Sequence, residues 1–568
     1  MENKKIVVVG GVAGGASSAA RARRLDEFAE ITMFEKGPNV SFSNCSLPYH
    51  LSGVISDADS IVLMTPEQFK NQYNIDAEVN SEVTDVDTDK KEVEVKNTQT
   101  GELKKVPYDE LILSPGANPI MPNCIKGIDK DNVFSVRNVV DIKKIQTYLE
   151  VNKVTDVAII GGGFIGLEVC ENLAQTDKNV SLIEASGHVM GTIDDDFAEL
   201  VHKELYDHGV NVVLNDGLAE ITDDHIKLGS GREIKSQVVI MAIGVKPDTA
   251  LATKIGCKLG LTGGIAVDHQ YRTSIPNVYA VGDAIEVSHM ITRKKTRLAL
   301  AFPAQMQARD AVDHIYGRTV ENRGVIGSQA IHVFDINVAS TGLTENECQK
   351  DGIDYRTAVV IPKSRVGIMP DATPLYFKLI FGYPSGEVLG AQALGKSDVD
   401  KQIDIVSTMI SMHGHISDLT HLEVCYSPWF STAKNAVNMA ALVAENVLNG
   451  EFEQIQVKDV RKLVEKGAFI IDAREPAEYE EGHIKSAVNI PLSQFRQRLD
   501  EIPTDRPVYV HCLTGQRSYN MVRALNNRGY NNIINIDGSY LALCEYEYFK
   551  DQTTDRKPIV TNYRFDLL

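Results

Sequence analysis

Two of the eight cysteines stand where their chemistry could be used. Cys45 lies in Ser41-Phe42-Ser43-Asn44-Cys45-Ser46-Leu47-Pro48-Tyr49, and the place five residues on, where a second thiol would allow a dithiol–disulfide cycle, is His50. A redox cysteine without an internal partner must cycle through a sulfenic acid or through a mixed disulfide with a thiol from outside. The first is peroxide or oxygen chemistry; the second is reduction of low-molecular-weight disulfides or persulfides. Cys512 ends the apolar run VYVHC and opens Leu513-Thr514-Gly515-Gln516-Arg517-Ser518. A cysteine directly after a buried strand, on a short loop running into a helix, faces successive backbone N–H groups and a helix dipole, and both stabilise a thiolate or a persulfide. The remaining cysteines are scattered without close pairs, so neither a disulfide scaffold nor a metal site of C-x-x-C type is expected.

The elements that position these thiols read as nucleotide-binding units. From Lys5 an apolar strand meets Gly10-Gly11-Val12-Ala13-Gly14-Gly15, a helix-like AARARRL and a second strand ending at Glu35-Lys36. Val12 stands where the usual pattern has its middle glycine, yet Gly10 and Gly15 can serve the turn and the helix packing, and the helix N-terminus can hold a pyrophosphate. The order returns at Val157, with a complete turn, Gly161-Gly162-Gly163-Phe164-Ile165-Gly166, and Glu184 ending the next strand. A carboxylate there accepts hydrogen bonds from a 2′-hydroxyl and repels a 2′-phosphate, which favours NADH over NADPH. Two dinucleotide sites in one chain imply cofactors that exchange electrons, and a flavin is the common acceptor.

The chain of 568 residues is too long for one core and must be modular. Its 58 basic and 77 acidic residues give a formal charge of −19, which argues against nucleic acid or an anionic membrane as partner. No apolar stretch has the length of a membrane span, and Met1 to Gly10 lacks signal-peptide character, so a cytoplasmic protein is expected. Strands and helix-like runs alternate from Gln329 until Asn449-Gly450 stops a helix; Glu451 to Lys458 is polar and reads as a linker; a compact α/β pattern follows from Val460 to Phe549.

As far as Asn449 the chain resembles the two-dinucleotide-binding flavoprotein disulfide reductases, in which the strand matching NVYAVGDA sets its aspartate, here Asp283 after Gly282, against the flavin ribityl chain. The string around Cys45 is similar to that of the single-cysteine coenzyme A disulfide reductases, whose oxidised form holds a cysteine–coenzyme A disulfide. That resemblance implies an FAD site completed by Lys36, Ser43, Asn44, Val83, Pro115, Gly116, Gly244, Ala301 and Pro303, and a coenzyme A site lined by Ser17, Arg21, Arg24, Ser41 and Asn44. It also implies a homodimer in which Tyr426 and Lys434, from Tyr426-Ser427-Pro428-Trp429-Phe430-Ser431 onward, complete the partner's site, Tyr426 reaching the active sulfur. One departure is the run Val366-Gly367-Ile368-Met369-Pro370-Asp371, which lacks the family's tyrosine before a Pro-Gly turn and so favours a small persulfide over bulky coenzyme A disulfide. Asp472-Ala473-Arg474-Glu475, Glu478 to Ile484 and the Cys512 loop closed by Arg517 resemble the rhodanese domain.

The expected fold is α/β. FAD-binding residues 1–113 and 245–325 enclose NAD(P)H-binding residues 114–244, two nested Rossmann-like domains; an α+β dimerisation domain (326–450), a linker (451–459), a rhodanese α/β domain (460–550) and a tail (551–568) follow. The expected activity is reduction of coenzyme A persulfide to coenzyme A and hydrogen sulfide through Cys45, with Cys512 relaying sulfane sulfur. Rival readings are a coenzyme A disulfide reductase, an NADH oxidase or peroxidase using a Cys45 sulfenate, and a redox sensor or sulfur carrier.

Overall fold

The computed structural model describes residues 3–565 and divides into two compact units, one comprising the N-terminal residues through Ala185 with Asp216–Val325, the other Ser186–Asn215 with Ile326 to the C-terminus. In the first unit, strand Lys5–Val9 sits centrally in a parallel sheet, between Glu30–Phe34 and Glu110–Leu113, with Asp76–Glu78 and Val278–Ala280 at the edges. Val7, Val8, Ile112 and Ala280 are fully buried, as strands covered on both faces must be. A second parallel arrangement repeats the plan: Asp156–Ile160 lies between Asn179–Ile183 and Val238–Met241, with Val133–Ser135 beyond. Each central strand runs into a glycine turn and a helix, Ala13–Leu25 and Phe164–Ala174 respectively. The C-terminal ends of both central strands, where α/β sheets bind ligands, therefore carry the two predicted cradles.

The second unit holds an antiparallel sheet ordered Gln329–Val333, Ile336–Gly342, Val388–Gly395, Leu375–Gly382, Tyr355–Val360, with helices Val399–Ser411 and Ala436–Leu448 packed on it. Its other sheet is parallel, with Val508–His511 between Phe469–Asp472 and Ile533–Ile536. Residues 451–459, expected to be a linker, instead carry strand Glu453–Ile455, which pairs with Ile533–Ile536, and both Phe452 and Val457 are buried. A three-residue edge strand is too short to show alternation and keeps a polar face to solvent, which is why its composition read as unstructured. The stretch after Asp551 also packs: Ile559 and Val560 are buried, Val560 bridges to Ile484, and the Tyr540 hydroxyl donates to the Asn562 carbonyl at 2.6 Å.

Ser186–Asn215, expected within the second nucleotide-binding domain, groups with the second unit, where helix Asp195–Asp207 packs on helix Ser539–Thr553 and a buried charge cluster adds to the contact. Lys378, fully buried, donates to Asp194 at 3.1 Å, Asp196 at 2.5 Å and Glu345 at 2.9 Å, and Gln456 donates to Glu345 at 2.8 Å. Burial alone would lower the Lys378 ammonium, but Asp196, Asp194 and Glu345 raise it well above the usual lysine range. The lysine is thus the buried cation that lets three carboxylates from two distant segments pack together. Among the described residues no helix is long and apolar enough to cross a membrane.

Candidate active sites

Both glycine turns are built by the same device. Gly10 and Gly161 adopt φ of +97° and +108°, and a Cβ at Gly15 or Gly166 would fall 1.8 or 1.9 Å from the carbonyl oxygen of Gly10 or Gly161. Only glycine lets strand and helix approach so closely. Val12 is accommodated because its φ of −108° is open to any residue. The Gly11 N–H donates to Glu35 at 2.9 Å and the Gly162 N–H to Glu184 at 2.7 Å, so each predicted ribose carboxylate is oriented by the turn it serves. A Cβ on Gly163, Gly116 or Gly244 would meet no backbone atom within 4 Å. That open side is the space a dinucleotide backbone would fill. Asp283, half-buried after Gly282 (φ +79°), has its carboxyl pushed up to about 6 by burial. Lys36 pairs with Asp248 at 3.3 Å; Val83 is buried; Ala301 and Pro303 open helix Ala301–Ile315. These residues fit FAD at the first turn and a nicotinamide dinucleotide at the second.

Cys45 sits exposed on the single turn Asn44–Ser46, braced by a 2.7 Å hydrogen bond between the Ser43 and Ser46 hydroxyls. Ser41, at φ +47°, ties this segment to the first glycine turn by donating its N–H to the Gly11 carbonyl at 2.7 Å. His50 offers no redox partner, and its Nδ1 lies 2.8 Å from the Ile55 carbonyl. Burial of the sulfur, then the charges of Glu168 and Asp283, push the Cys45 thiol up, against a smaller opposing effect of backbone hydrogen bonding. Glu168, on the helix that follows the second turn, is itself raised to about 7 by burial and by Glu171. The sequence reading missed Glu168, because nothing in its spacing ties it to a cysteine in another nucleotide-binding unit. Ser17 lies part-buried on helix Ala13–Leu25. The two expected phosphate-binding arginines have separate engagements: Arg21 donates to Asp313 from Nε at 2.8 Å and Nη2 at 2.5 Å, and Arg24 lies over the Tyr73 ring, 5.8 Å from its centroid.

In the second unit, Tyr426, Trp429, Phe430 and Lys434 are exposed, the three rings at 52%, 54% and 64%.

Cys512 is 1% exposed at the end of strand Val508–His511. The Gly515 N–H donates to its sulfur at 3.2 Å, its own N–H is accepted by Ser539 Oγ at 3.2 Å, and that hydroxyl lies 4.0 Å from the sulfur. Gly515, at φ +110°, turns Leu513-Thr514 into helix Gln516–Asn526, so that the helix N-terminus faces the thiol. Arg517 donates from Nη1 and Nη2 to Glu478 at 2.6 and 2.8 Å and interacts electrostatically with Cys512. Beneath the loop, His511, Asp472 and Arg474 are buried together, with Arg474 bonded to Asp472 and to the Gly482 carbonyl and lying over the Tyr540 ring. Burial would raise Asp472, but facing His511 and Arg474 hold it below the usual carboxylate range; burial lowers His511. The sequence motif pointed to Arg517 but not to the roles of Glu478 and Ser539.

Comparison with known proteins assigns families to the stretches of chain that carry the two cysteines. Residues 4–308 match the model described as pyridine nucleotide-disulphide oxidoreductase, residues 328–437 the dimerisation domain of that family, and residues 456–545 the rhodanese-like domain. A coenzyme A disulfide reductase of Staphylococcus aureus is 32% identical over 442 residues, covering 78% of this chain and all of the relative. The crystal structure of reduced CoADR-RHD of Bacillus anthracis superposes with a TM-score of 0.92 at 40% identity, over 96% of this chain and 98% of that one. A NAD-dependent persulfide reductase from A. fulgidus gives a TM-score of 0.89 at 34% identity, over 95% and 99%.

Proposed function

Because this chain belongs to the pyridine nucleotide-disulphide oxidoreductase family and ends in a rhodanese-like domain, we propose that it reduces coenzyme A persulfide to coenzyme A and hydrogen sulfide. The observation that carries the reading is the solitary, exposed Cys45 on a turn fastened to the first dinucleotide cradle, with His50 where a second thiol would stand. Its sulfur partner must come from a small molecule.

The Cys45 thiolate attacks the coenzyme A sulfur of the persulfide. The sulfur–sulfur bond breaks, hydrosulfide leaves with the electron pair, and Cys45 remains joined to coenzyme A by a disulfide. The first turn, Glu35 and Asp283 would hold FAD, which when bound would supply the electron pair that originates on the nicotinamide dinucleotide at the second turn. That pair splits the Cys45–coenzyme A disulfide, returning the Cys45 thiolate and releasing coenzyme A as its thiolate. Of the two acids whose charges bear on Cys45, Glu168, at about 7, is the better matched to take up and return the thiol proton near neutral pH, Asp283 lying lower at about 6. Hydrosulfide is a small leaving group of low pKa, so the absence of a tyrosine from Val366 to Asp371 is no handicap.

Cys512 takes sulfane sulfur from thiosulfate, polysulfide or another persulfide and passes it to coenzyme A, the Gly515 N–H supporting the intermediate persulfide. Carrying both thiols on one chain raises their effective concentration for a coenzyme A arm that serves each in turn. The exposed strip Tyr426, Trp429 and Phe430 supports a homodimer in which Tyr426 and Lys434 reach the partner's Cys45, and the Glu184 carboxylate supports NADH as the preferred donor. Coenzyme A disulfide reduction is the second reading, supported by the name of the Staphylococcus aureus relative.

Anaerobic NADH consumption measured with coenzyme A persulfide, coenzyme A disulfide and hydrogen peroxide, alongside sulfide release, separates these readings. Sulfide released in step with NADH consumed is the expected result. Fast disulfide turnover with little sulfide would overturn the proposal, and peroxide-driven turnover would move Cys45 to sulfenate chemistry.

A further inference from the structure

We infer that Glu478 sets the donor specificity of the Cys512 site by neutralising Arg517, so that the loop selects against small dianionic sulfane donors in favour of donors of lower charge. The inference rests on the reading that Cys512 accepts sulfane sulfur.

From Cys512 to Arg517 the loop offers one cation, since Leu513, Thr514, Gly515 and Gln516 are uncharged. A guanidinium holds an oxyanion best through two parallel N–H bonds, and in Arg517 both terminal nitrogens are committed to the two oxygens of Glu478, at 2.6 and 2.8 Å. The pair is about one-third exposed, 32% for Arg517 and 31% for Glu478, so solvent screens it only in part. The other charges beneath the sulfur cancel or are absent. Asp472 and Arg474 are paired with each other and buried, and burial disfavours the charged form of His511. Glu478 therefore decides whether an incoming anion meets a net positive loop or a neutral one.

In the first half-reaction the Cys512 thiolate attacks the outer sulfur of thiosulfate. The S–S bond breaks, sulfite leaves with the electron pair, and the Cys512 persulfide anion remains. Thiosulfate, a dianion, must bring its sulfonate close to a cation already occupied. A persulfide carried on a larger thiol places a single charge at the reacting sulfur and is served by the Gly515 N–H and the helix N-terminus. Methanethiosulfonate, a monoanion, undergoes the same displacement with methanesulfinate leaving, so the two reagents differ at the loop chiefly in charge.

The test compares kcat/KM for thiosulfate and methanethiosulfonate in the full-length protein, with cyanide as sulfur acceptor. Glu478→Gln keeps an oxygen acceptor for Arg517 while removing the charge. It is expected to raise the thiosulfate value on the order of tenfold and the methanethiosulfonate value on the order of threefold. Glu478→Asp, which keeps the charge, is expected to leave the ratio of the two donors at the parent value. An unchanged or lowered ratio in a Glu478→Gln protein with parent-like thermal unfolding overturns the inference. Should that variant not fold, the parent protein still decides: a neutral loop predicts that added salt does not depress thiosulfate turnover, and a steep fall overturns it. Turnover of both donors surviving Cys512→Ser would instead sink the underlying reading of Cys512.

Discussion

Cys45 and Cys512 present the same functional group in opposed settings. Cys45 stands on a single turn with its residue exposed, the acids Glu168 and Asp283 bear on it, and its thiol is pushed up by partial desolvation of the sulfur and by those charges. Cys512 is sealed at 1% exposure, accepts an N–H bond from Gly515 and has Arg517 beside it. The contrast separates a buried sulfur contacted by a backbone donor from an exposed turn whose neighbouring charges are acidic. In the rhodanese-like loop the sulfur accepts an N–H from the chain itself, whereas under the proposed mechanism the Cys45 turn depends on the cofactor and substrate that bind there. This division suits a reductase, because a thiol that stays protonated until its partners arrive is spared idle oxidation.

The largest expected effect would break the comparison outright. Cys45→Ser should lower NADH-linked sulfide release by at least about a thousandfold while thiosulfate-to-cyanide sulfur transfer, the reaction proposed for Cys512, continues at the parent rate. Loss of both activities together would show that the two centres are not independent. Next in size, Arg474→Met removes the cation that compensates buried Asp472 beneath Cys512 and should cost about 3–5 kcal/mol in the thermal unfolding of the second unit. A variant as stable as the parent would show that the loop does not depend on its buried support.

A pH effect sharpens the same contrast. Asp537, two residues before the Ser539 that touches Cys512, is raised to about 8 by burial and by Asp196 and Glu345, against the opposing Lys378. Its ordinary value is 3.8, so between the two values the folded state holds a proton that the unfolded state has released. The contribution of Asp537 to stability is therefore complete below pH 3.8 and lost as pH rises toward 8. Asp537→Asn should flatten that decline by a few kcal/mol by pH 8 in pH-dependent unfolding; an unchanged slope would show that the group ionises freely. The smallest effect concerns Cys45. Glu168→Gln removes a charge that raises the thiol and should speed alkylation of Cys45 by iodoacetamide at neutral pH roughly threefold, with Cys512 unaffected. Equal rates in parent and variant would leave burial as the governing cause.

Much of this was legible in the chain. The glycine turns, Glu35, Glu184, the solitary Cys45 and the Cys512 loop all announce themselves because each is a local backbone device with fixed spacing. The edge strand Glu453–Ile455 was not legible, being too short for periodicity and stabilised by its neighbour in the sheet rather than by its own pattern. Nor were the engagement of Arg21 by Asp313, the Glu478 clamp on Arg517, or the influence of Glu168 on Cys45, since each joins residues far apart in the chain.

The order of residues by itself determined where the chain must turn with positive φ, where helices present their N-termini and where thiols meet them, because those features need only neighbours. Tertiary structure alone decided which charges face one another. The Lys378 cluster draws its carboxylates from Asp194, Asp196 and Glu345, and Gln456 joins from yet another segment. Coulombic energy and desolvation depend on distance through space and on the exclusion of water, and neither is written in the spacing of residues along the chain.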